Sequence, residues 1–316
     1  MPEAEERAKA TARKIGVPHL IVDAQQEFYE AVVQYFVEEY AAGRTPNPCC
    51  KCNARFRLAF MLHLAESLGA SKVATGHYAR MVGEPLCLAR ALDLSKDQSY
   101  VLAEVDPSIL RQCVFPVGSL TKPQVRTMAR EAGLESADSA ESQEICFIPD
   151  NDYRRFLRER IGELPGEIVD TEGRVVGFHR GTYNFTVGQR RGVGIAKGRP
   201  LYVVDIDARA RRVVVGERSS ALVGRIELED IVWHRSPRQE LLKVQVRSTG
   251  EAVPAKLSAD GKTILLLEAA VGVAPGQTAV VYENGLVCLA GTICSTSRWE
   301  GSTESTTLPV VRGPVI

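Results

Sequence analysis

The segment Lys72-Val73-Ala74-Thr75-Gly76-His77-Tyr78 gives the clearest indication of the fold, because a short strand of the buried type runs directly into a glycine and a histidine. An amphipathic helix from about Glu27 to Ala42 precedes it, and another from about Asn53 to Leu68 leads into it. Helices that alternate with strands predict a parallel sheet whose ligands gather at the carboxyl ends of the strands. Gly76 and His77 are expected at such an end.

Further helices and strands are predicted on both sides of this strand. Upstream, residues 4–16 predict a helix and His19–Asp23 a further strand. Downstream, helices are predicted for Pro123–Gly133 and for Tyr153–Arg160. After Gly162 the long helices give way to short alternating strands, with turns at Glu172-Gly173, Asp207–Arg211 and Asp260-Gly261.

These patterns predict three domains. Residues 1–161 are expected to form an α/β domain, residues 162–222 a small central β-rich domain, and residues 223–316 a C-terminal β-barrel. The Ser/Thr-rich end, from about Arg298, is expected to fray.

The composition excludes some classes of protein. The 316 residues carry no formal net charge, so contact with nucleic acid would need local basic patches. No apolar run is long enough for a membrane span or resembles a signal peptide, which favours a cytoplasmic protein. Eight irregularly spaced cysteines then favour thiol chemistry or metal binding over a disulfide framework.

Three of these cysteines lie in two polar islands. Cys49 and Cys52 form a C-x-x-C on the proline-rich loop Thr45–Asn53, and Cys146 lies in Glu141–Pro149. Such thiols can hold structural zinc, although a fourth ligand is not evident. They can also hold three corners of a four-iron cluster, or exchange persulfides and disulfides without metal. The residues alone leave these alternatives open.

Several polar positions have both an ordinary and a functional interpretation. His77 is either a packing histidine or a ligand contact at the end of its strand. Lys96-Asp97-Gln98 is by default a polar turn. Arginines beside glycines, as in Gly188-Gln189-Arg190-Arg191-Gly192, are either solvated or bind phosphate.

Taken in order, seven islands resemble the tRNA-specific 2-thiouridylase family (MnmA in bacteria) over nearly the whole chain. They are Gly43–Pro48 with its cysteines, Ala74–Arg80, Lys96–Tyr100, Phe115–Gly118, Ser142–Pro149, Thr186–Gly192 and Pro275–Gln277. The resemblance implies an adenine-nucleotide alpha-hydrolase-like sheet in the first domain.

The resemblance also implies a reaction. ATP, with Mg²⁺, adenylates the C2 oxygen of the wobble uridine of tRNA, and a persulfide delivers sulfur to C2 with loss of AMP. Cys52 takes the nucleophile position and Cys146 the persulfide position, and the two can form a disulfide. Sulfur would come from a cysteine desulfurase or a sulfur-relay protein.

Binding residues are implied in the same way. Gly76 would contact ATP, and Asn47, Pro48 and Cys49 would meet the target base. Further contacts to tRNA are implied at His77, Lys96, Asp97, Gln98, Arg247, Ser248 and Gln277. The base would have to be flipped out of its stack to be reached.

Two departures from the family pattern affect the expected chemistry. Many relatives carry Asp at the position of Cys49, and the resulting three thiols favour a [4Fe-4S] form. The family's Ser-Gly-Gly-x-Asp-Ser loop, which wraps the ATP pyrophosphate, does not occur in residues 1–316. We expect a truncated sequence; the alternatives are a piece of a split enzyme and a non-catalytic tRNA-binding paralogue. Without the strands of that region, the first sheet is expected to have unpaired edges.

Overall fold

A computed structural model describes residues 2–134, 137, 145–195 and 200–300. The first part of the Cys146 island, residues 141–144, and the Ser/Thr-rich end beyond residue 300 lie outside the described residues. The α-helices are α1 Pro2–Ile15, α2 Gln25–Phe28, α3 Tyr35–Ala41, α4 Pro48–Cys52, α5 Leu58–Ser67, α6 Ser99–Leu102, α7 Pro107–Leu110, α8 Lys122–Glu131 and α9 Tyr153–Ile161. The strands are β1 Val73–Ala74, β2 Ala79–Val82, β3 Cys87–Arg90, β4 Cys113–Val114, β5 Gly166–Asp170, β6 Val175–His179, β7 Tyr202–Asp207, β8 Arg212–Gly216, β9 Leu222–Trp233, β10 Leu242–Gln245, β11 Val253–Leu257, β12 Thr263–Val271, β13 Thr278–Glu283 and β14 Leu286–Arg298.

Two π-helical turns join short helices into longer ones. Tyr29–Gln34 connects α2 to α3, and Asn53–Arg57 connects α4 to α5. The first of these composite helices ends at Gly43, which has a φ of +80° and so adopts a conformation that favours glycine. The helices predicted from about Glu27 and from about Asn53 are therefore present, and the second begins five residues earlier, at Pro48.

The predicted parallel pairing is present at the strand of residues 72–78. β1 pairs with β4 in parallel, with Val73 opposite Cys113. The predicted strand at His19–Asp23 was wrong, since this segment is irregular and three of its side chains, Leu20, Ile21 and Val22, are 42–57% exposed. A strand needs a neighbour to receive its backbone hydrogen bonds, and the described residues provide none beside this segment.

The largest sheet crosses the expected boundary between the first and last domains. Its strand order is β13-β10-β11-β12-β9-β14-β3-β2, and β13 also pairs with β14 to close the barrel. The hairpin of β2 and β3 thus belongs to the same sheet as the C-terminal strands, with Ala89 opposite Leu286. One buried cluster accordingly contains both Leu58 and Leu88 from the first half and Val280 from the barrel.

A separate four-stranded sheet lies between these parts in the sequence, in the order β6-β5-β8-β7. Its core contains Ile168, Val203 and Val213. The expected succession of an α/β part, a small β-rich part and a β-barrel is confirmed. None of the helices in the described ranges is long and apolar enough to cross a membrane.

Candidate active site

The thiols of the C-x-x-C lie on a helix, which corrects the prediction that a loop carries them. Pro48 occupies the first turn of α4, and the Asn47 side chain caps it by accepting hydrogen bonds from the backbone N–H groups of Cys49 (3.1 Å) and Cys50 (3.2 Å). Asn47 is buried. The first turn of a helix tolerates proline, because the N–H group that proline lacks has no helical partner there. The sequence Asn-Pro therefore starts the helix that presents Cys49 and Cys52.

Arg57 is a site residue that the motif reading did not single out. It follows Cys52 by five residues, a spacing that an α-helix would rotate to a different face. The π-helical turn Asn53–Arg57 has i to i+5 periodicity, which returns Arg57 to the side of Cys52. The Arg57 guanidinium lies close enough to the Cys52 thiol for its positive charge to lower the pKa of that thiol. The sequence does show a basic residue five positions after the C-x-x-C, but that residue lies on the side of Cys52 only if the helix contains a π turn.

Burial and charge act in opposite directions on these thiols. Burial raises the pKa of Cys52 above its ordinary value, while the positive charge of Arg57 lowers it. Burial also raises the pKa of Cys49, and the neighbouring Cys146 and Cys52 raise it further. Arg57 is therefore the cation available to stabilise a thiolate at this site.

Aromatic packing brings Cys146 to the helix of Cys52. The next residue, Phe147, packs edge-on against Phe28 with 5.8 Å between ring centroids, and Phe28 contacts Phe56 at 5.7 Å. Because Phe56 lies in the π-helical turn after Cys52, these contacts fix the Cys146 segment beside the two thiols. Cys146 is exposed and Cys52 is buried, while Cys49 is exposed as a residue although neighbouring atoms shield its thiol from water.

Gly76 and His77 lie at the carboxyl end of β1, as predicted. Gly76 is exposed, and a Cβ atom at this position would meet no atom within 4 Å. The Nδ1 atom of His77 is 2.8 Å from the hydroxyl of Thr75. Burial, helped by the Arg57 charge, lowers the pKa of His77 to about 4. Arg57 thus acts on both the cysteine helix and the histidine loop.

The turn at Lys96–Gln98 is tied into the protein by its own side chains. Asp97 accepts hydrogen bonds from the backbone N–H groups of Ala91 (3.0 Å) and Ser99 (3.1 Å). Gln98 accepts one from the backbone N–H of Tyr78 at 2.9 Å. These contacts hold the loop that carries His77, and contacts of the turn to tRNA remain a prediction.

The barrel residues singled out from the sequence lie near its contact with the middle sheet. Arg247 and Ser248 are exposed, and Gln277 is half-buried at the start of β13. Gly188 approaches Gly272 so closely that a Cβ atom on Gly188 would lie 2.1 Å from the Gly272 Cα, and the Arg247 guanidinium lies over Gly272. The Gly188–Gly192 loop and Arg247 are therefore brought together, with Arg190 and Arg191 exposed.

The expected metal ligands are not arranged for a metal. Within the part of the chain that the structure describes, no three His, Cys, Asp or Glu side chains are grouped so that they could hold an ion. Cys49, Cys52 and Cys146, the expected ligands, do not form such a group.

Comparisons with known proteins agree with this arrangement. Residues 1–150 match a family model described as tRNA methyl transferase HUP domain, residues 154–217 a tRNA methyl transferase PRC-barrel domain, and residues 223–294 an aminomethyltransferase beta-barrel domain.

Named relatives match across most of the chain. A protein of Rubrobacter xylanophilus named bifunctional protein NifU/MnmA is 50% identical over 277 residues, which cover 87% of this chain and 56% of the relative. Proteins named tRNA-specific 2-thiouridylase MnmA from Geobacter metallireducens and Zymomonas mobilis are 43% and 42% identical, over 93% and 92% of this chain and 82% and 79% of their own lengths. The chain belongs to the tRNA-specific 2-thiouridylase MnmA family.

Proposed function

We propose that this chain is a tRNA 2-thiouridylase, a sulfurtransferase that uses ATP to replace the C2 oxygen of the wobble uridine with sulfur. One observation carries the proposal. Cys52 on its helix lies close enough to Cys146 on the aromatic-anchored segment and to the Arg57 guanidinium for both to act on its pKa, Arg57 lowering it and Cys146 raising it. Two thiols and a cation at one site suit transfer of sulfur from a persulfide.

The chemistry assigns a separate task to each thiol. Once the C2 oxygen is adenylated with loss of pyrophosphate, the terminal sulfur of a Cys146 persulfide attacks C2 and AMP departs with the oxygen. The Cys52 thiolate then attacks the Cys146 sulfur, which releases the thiouridine and leaves a Cys52–Cys146 disulfide for reduction. Burial raises the pKa of Cys52, so this second step depends on the positive charge of Arg57, which lowers that pKa.

The other predicted residues are assigned to binding. Gly76, exposed and without crowding at the end of β1, would contact ATP. Asn47, Pro48 and Cys49 would meet the flipped base, and the low pKa of His77 keeps its ring neutral. Exposed Arg247 and Ser248, with Gln277, would hold tRNA on the barrel. The [4Fe-4S] form is not part of the proposal, because no group of three metal-binding side chains is found among the described residues.

A separate protein would supply the sulfur. The exposed position of Cys146 allows a cysteine desulfurase or a sulfur-relay protein to reach it. That a relative is named as a fusion of NifU and MnmA supports close association with a second protein.

Replacement of Cys146 by serine tests the proposal. Assays with unmodified tRNA, ATP, a thiol reductant, and cysteine with a cysteine desulfurase as the sulfur donor should give no 2-thiouridine with Cys146→Ser, while tRNA affinity stays within about 1 kcal/mol. Cys87→Ser, a half-buried cysteine on the β2–β3 hairpin, is the matched control and should retain activity. Thiolation by Cys146→Ser would refute the assignment.

A parallel assay separates the enzyme from a non-catalytic binding protein. The chain is compared with a version that carries an upstream Ser-Gly-Gly-x-Asp-Ser segment. Activity in either form supports the enzyme. Binding of tRNA with activity in neither form would favour the non-catalytic alternative.

A further inference from the structure

A buried ion pair lies between the two thiols of the C-x-x-C and the barrel. Lys51 of α4 and Glu104 are both buried, with 4% of each side chain exposed and 2.7 Å between Nζ and Oε2. The Lys51 ammonium also donates to the Thr292 hydroxyl of β14 at 2.8 Å and lies 5.6 Å from the centroid of the Tyr35 ring. Four separate segments of the chain meet at this ammonium.

Glu104 extends the connection to the neighbouring strand. Its Oε1 accepts a hydrogen bond of 2.7 Å from the Thr278 hydroxyl of β13, and the backbone carbonyl of Thr278 accepts one of 2.7 Å from the Tyr100 hydroxyl. Thr278 directly follows Gln277, one of the residues assigned to tRNA binding. A continuous path of charged and polar contacts therefore joins the barrel surface to the residue that precedes Cys52.

A buried pair of this kind is an inefficient way to gain stability. Two charges lose their hydration on burial, and well-packed apolar residues in their place are often equally stable or more so. What an ion pair with fixed hydrogen bonds does provide is one defined position for the elements it joins. Lys51 fixes α4 at a single rotation, and with it the direction in which Cys49 and Cys52 point.

We propose that Lys51 is a positioning residue. Through Glu104 and Thr292 it fixes the cysteine helix to the barrel strands, so that a tRNA bound on the barrel places its target base at the thiols. The inference rests on the proposed function. Misplacement of a reacting group by about 1 Å costs up to about a hundredfold in rate, so a helix that can shift on the barrel loses turnover rather than affinity.

A charge-free double variant separates positioning from stability. Lys51→Met alone leaves Glu104 buried without a partner and should lower the unfolding midpoint. Lys51→Met with Glu104→Gln removes both charges while the glutamine still accepts from Thr278, so the midpoint should return close to that of the wild type. The double variant should nevertheless lose about a hundredfold in kcat with its tRNA Kd little changed.

A second buried pair provides the control. Arg235 and Glu283 of the barrel, 2.7 Å apart and 15% and 4% exposed, are changed together to Met and Gln. This variant should keep its kcat. Recovery of both stability and kcat in the Lys51 and Glu104 double variant would overturn the proposal, since a merely structural pair predicts that result.

Two further measurements keep the test decisive. If the double variant does not fold, Thr292→Val removes only the hydroxyl that accepts from Lys51 and should lower kcat severalfold, and an unchanged kcat would overturn the inference. The rate of oxidant-induced Cys52–Cys146 disulfide formation with tRNA bound should fall in the same variants. Absence of thiolation by the wild type would instead count against the proposed function, and the disulfide rate would still report on positioning.

Discussion

Replacement of Gly118 by alanine should destabilise the protein next to the His77 loop. Gly118 is buried in the 3₁₀ turn Pro116–Ser119, and a Cβ atom there would lie 1.7 Å from the carbonyl oxygen and 2.6 Å from the carbonyl carbon of Ala79. Ala79 is fully buried at the start of β2, two residues after His77. The obstacle is therefore backbone of the large sheet, which cannot rotate away as a side chain could.

The size of the effect follows from the overlap. Carbon and oxygen atoms that are not bonded require about 3 Å or more, so one backbone must move by more than 1 Å, and overpacking of this kind costs about 3 kcal/mol. For a protein of this size we expect the thermal midpoint, followed by circular dichroism, to fall by about 4 to 5 °C. Gly250→Ala is the matched control, because the nearest atom to its new Cβ would be 3.4 Å away. A Gly118→Ala protein as stable as this control would refute the packing argument.

Two other predictions concern the electrostatics of the site. Arg57→Met should raise the pKa of the Cys52 thiol, because the cation that opposes the effect of burial is lost. Alkylation of Cys52 by iodoacetamide should then slow near neutral pH, and the pH profile of its rate should move to higher pH. An unchanged profile would show that Arg57 does not act on this thiol. The ring of His77 should titrate with a midpoint near pH 4 in NMR spectra. In the unfolded chain the same ring gains its proton at about pH 6.5, so this group lowers the stability of the folded protein as the pH falls from about 6.5 to about 4. A midpoint at or above about pH 6.5 would contradict a buried, neutral ring.

Periodicity and motif order were sufficient for much of the fold. The strand at Val73, the helix that ends before Gly43 and the change to β structure after Gly162 are all local signals, and each is present. The failure at His19–Asp23 has a physical cause. Apolar residues have the pattern of a strand, but a strand exists only where another strand receives its hydrogen bonds.

The candidate site shows the same limit at the level of side chains. The motif identified Cys52 and Cys146, yet Arg57 depends on a π turn that shifts the helical phase, and no single-residue pattern predicts such a turn. The role of Lys51 depends on Glu104, 53 residues away in the sequence, and on hydroxyls of two barrel strands. Contacts of this kind are decided by the tertiary fold.

The pairing of Ala89 with Leu286 has a consequence for synthesis of the protein. The β2–β3 hairpin leaves the ribosome almost 200 residues before the strand that completes its sheet, which corresponds to about 10 to 40 s at ordinary rates of elongation. During that interval Leu58 and Leu88, fully buried in the finished protein, have no barrel to cover them. We expect the nascent chain to bind chaperones until β14 is made, and the cysteine helix to reach its final place only after the last strand has paired.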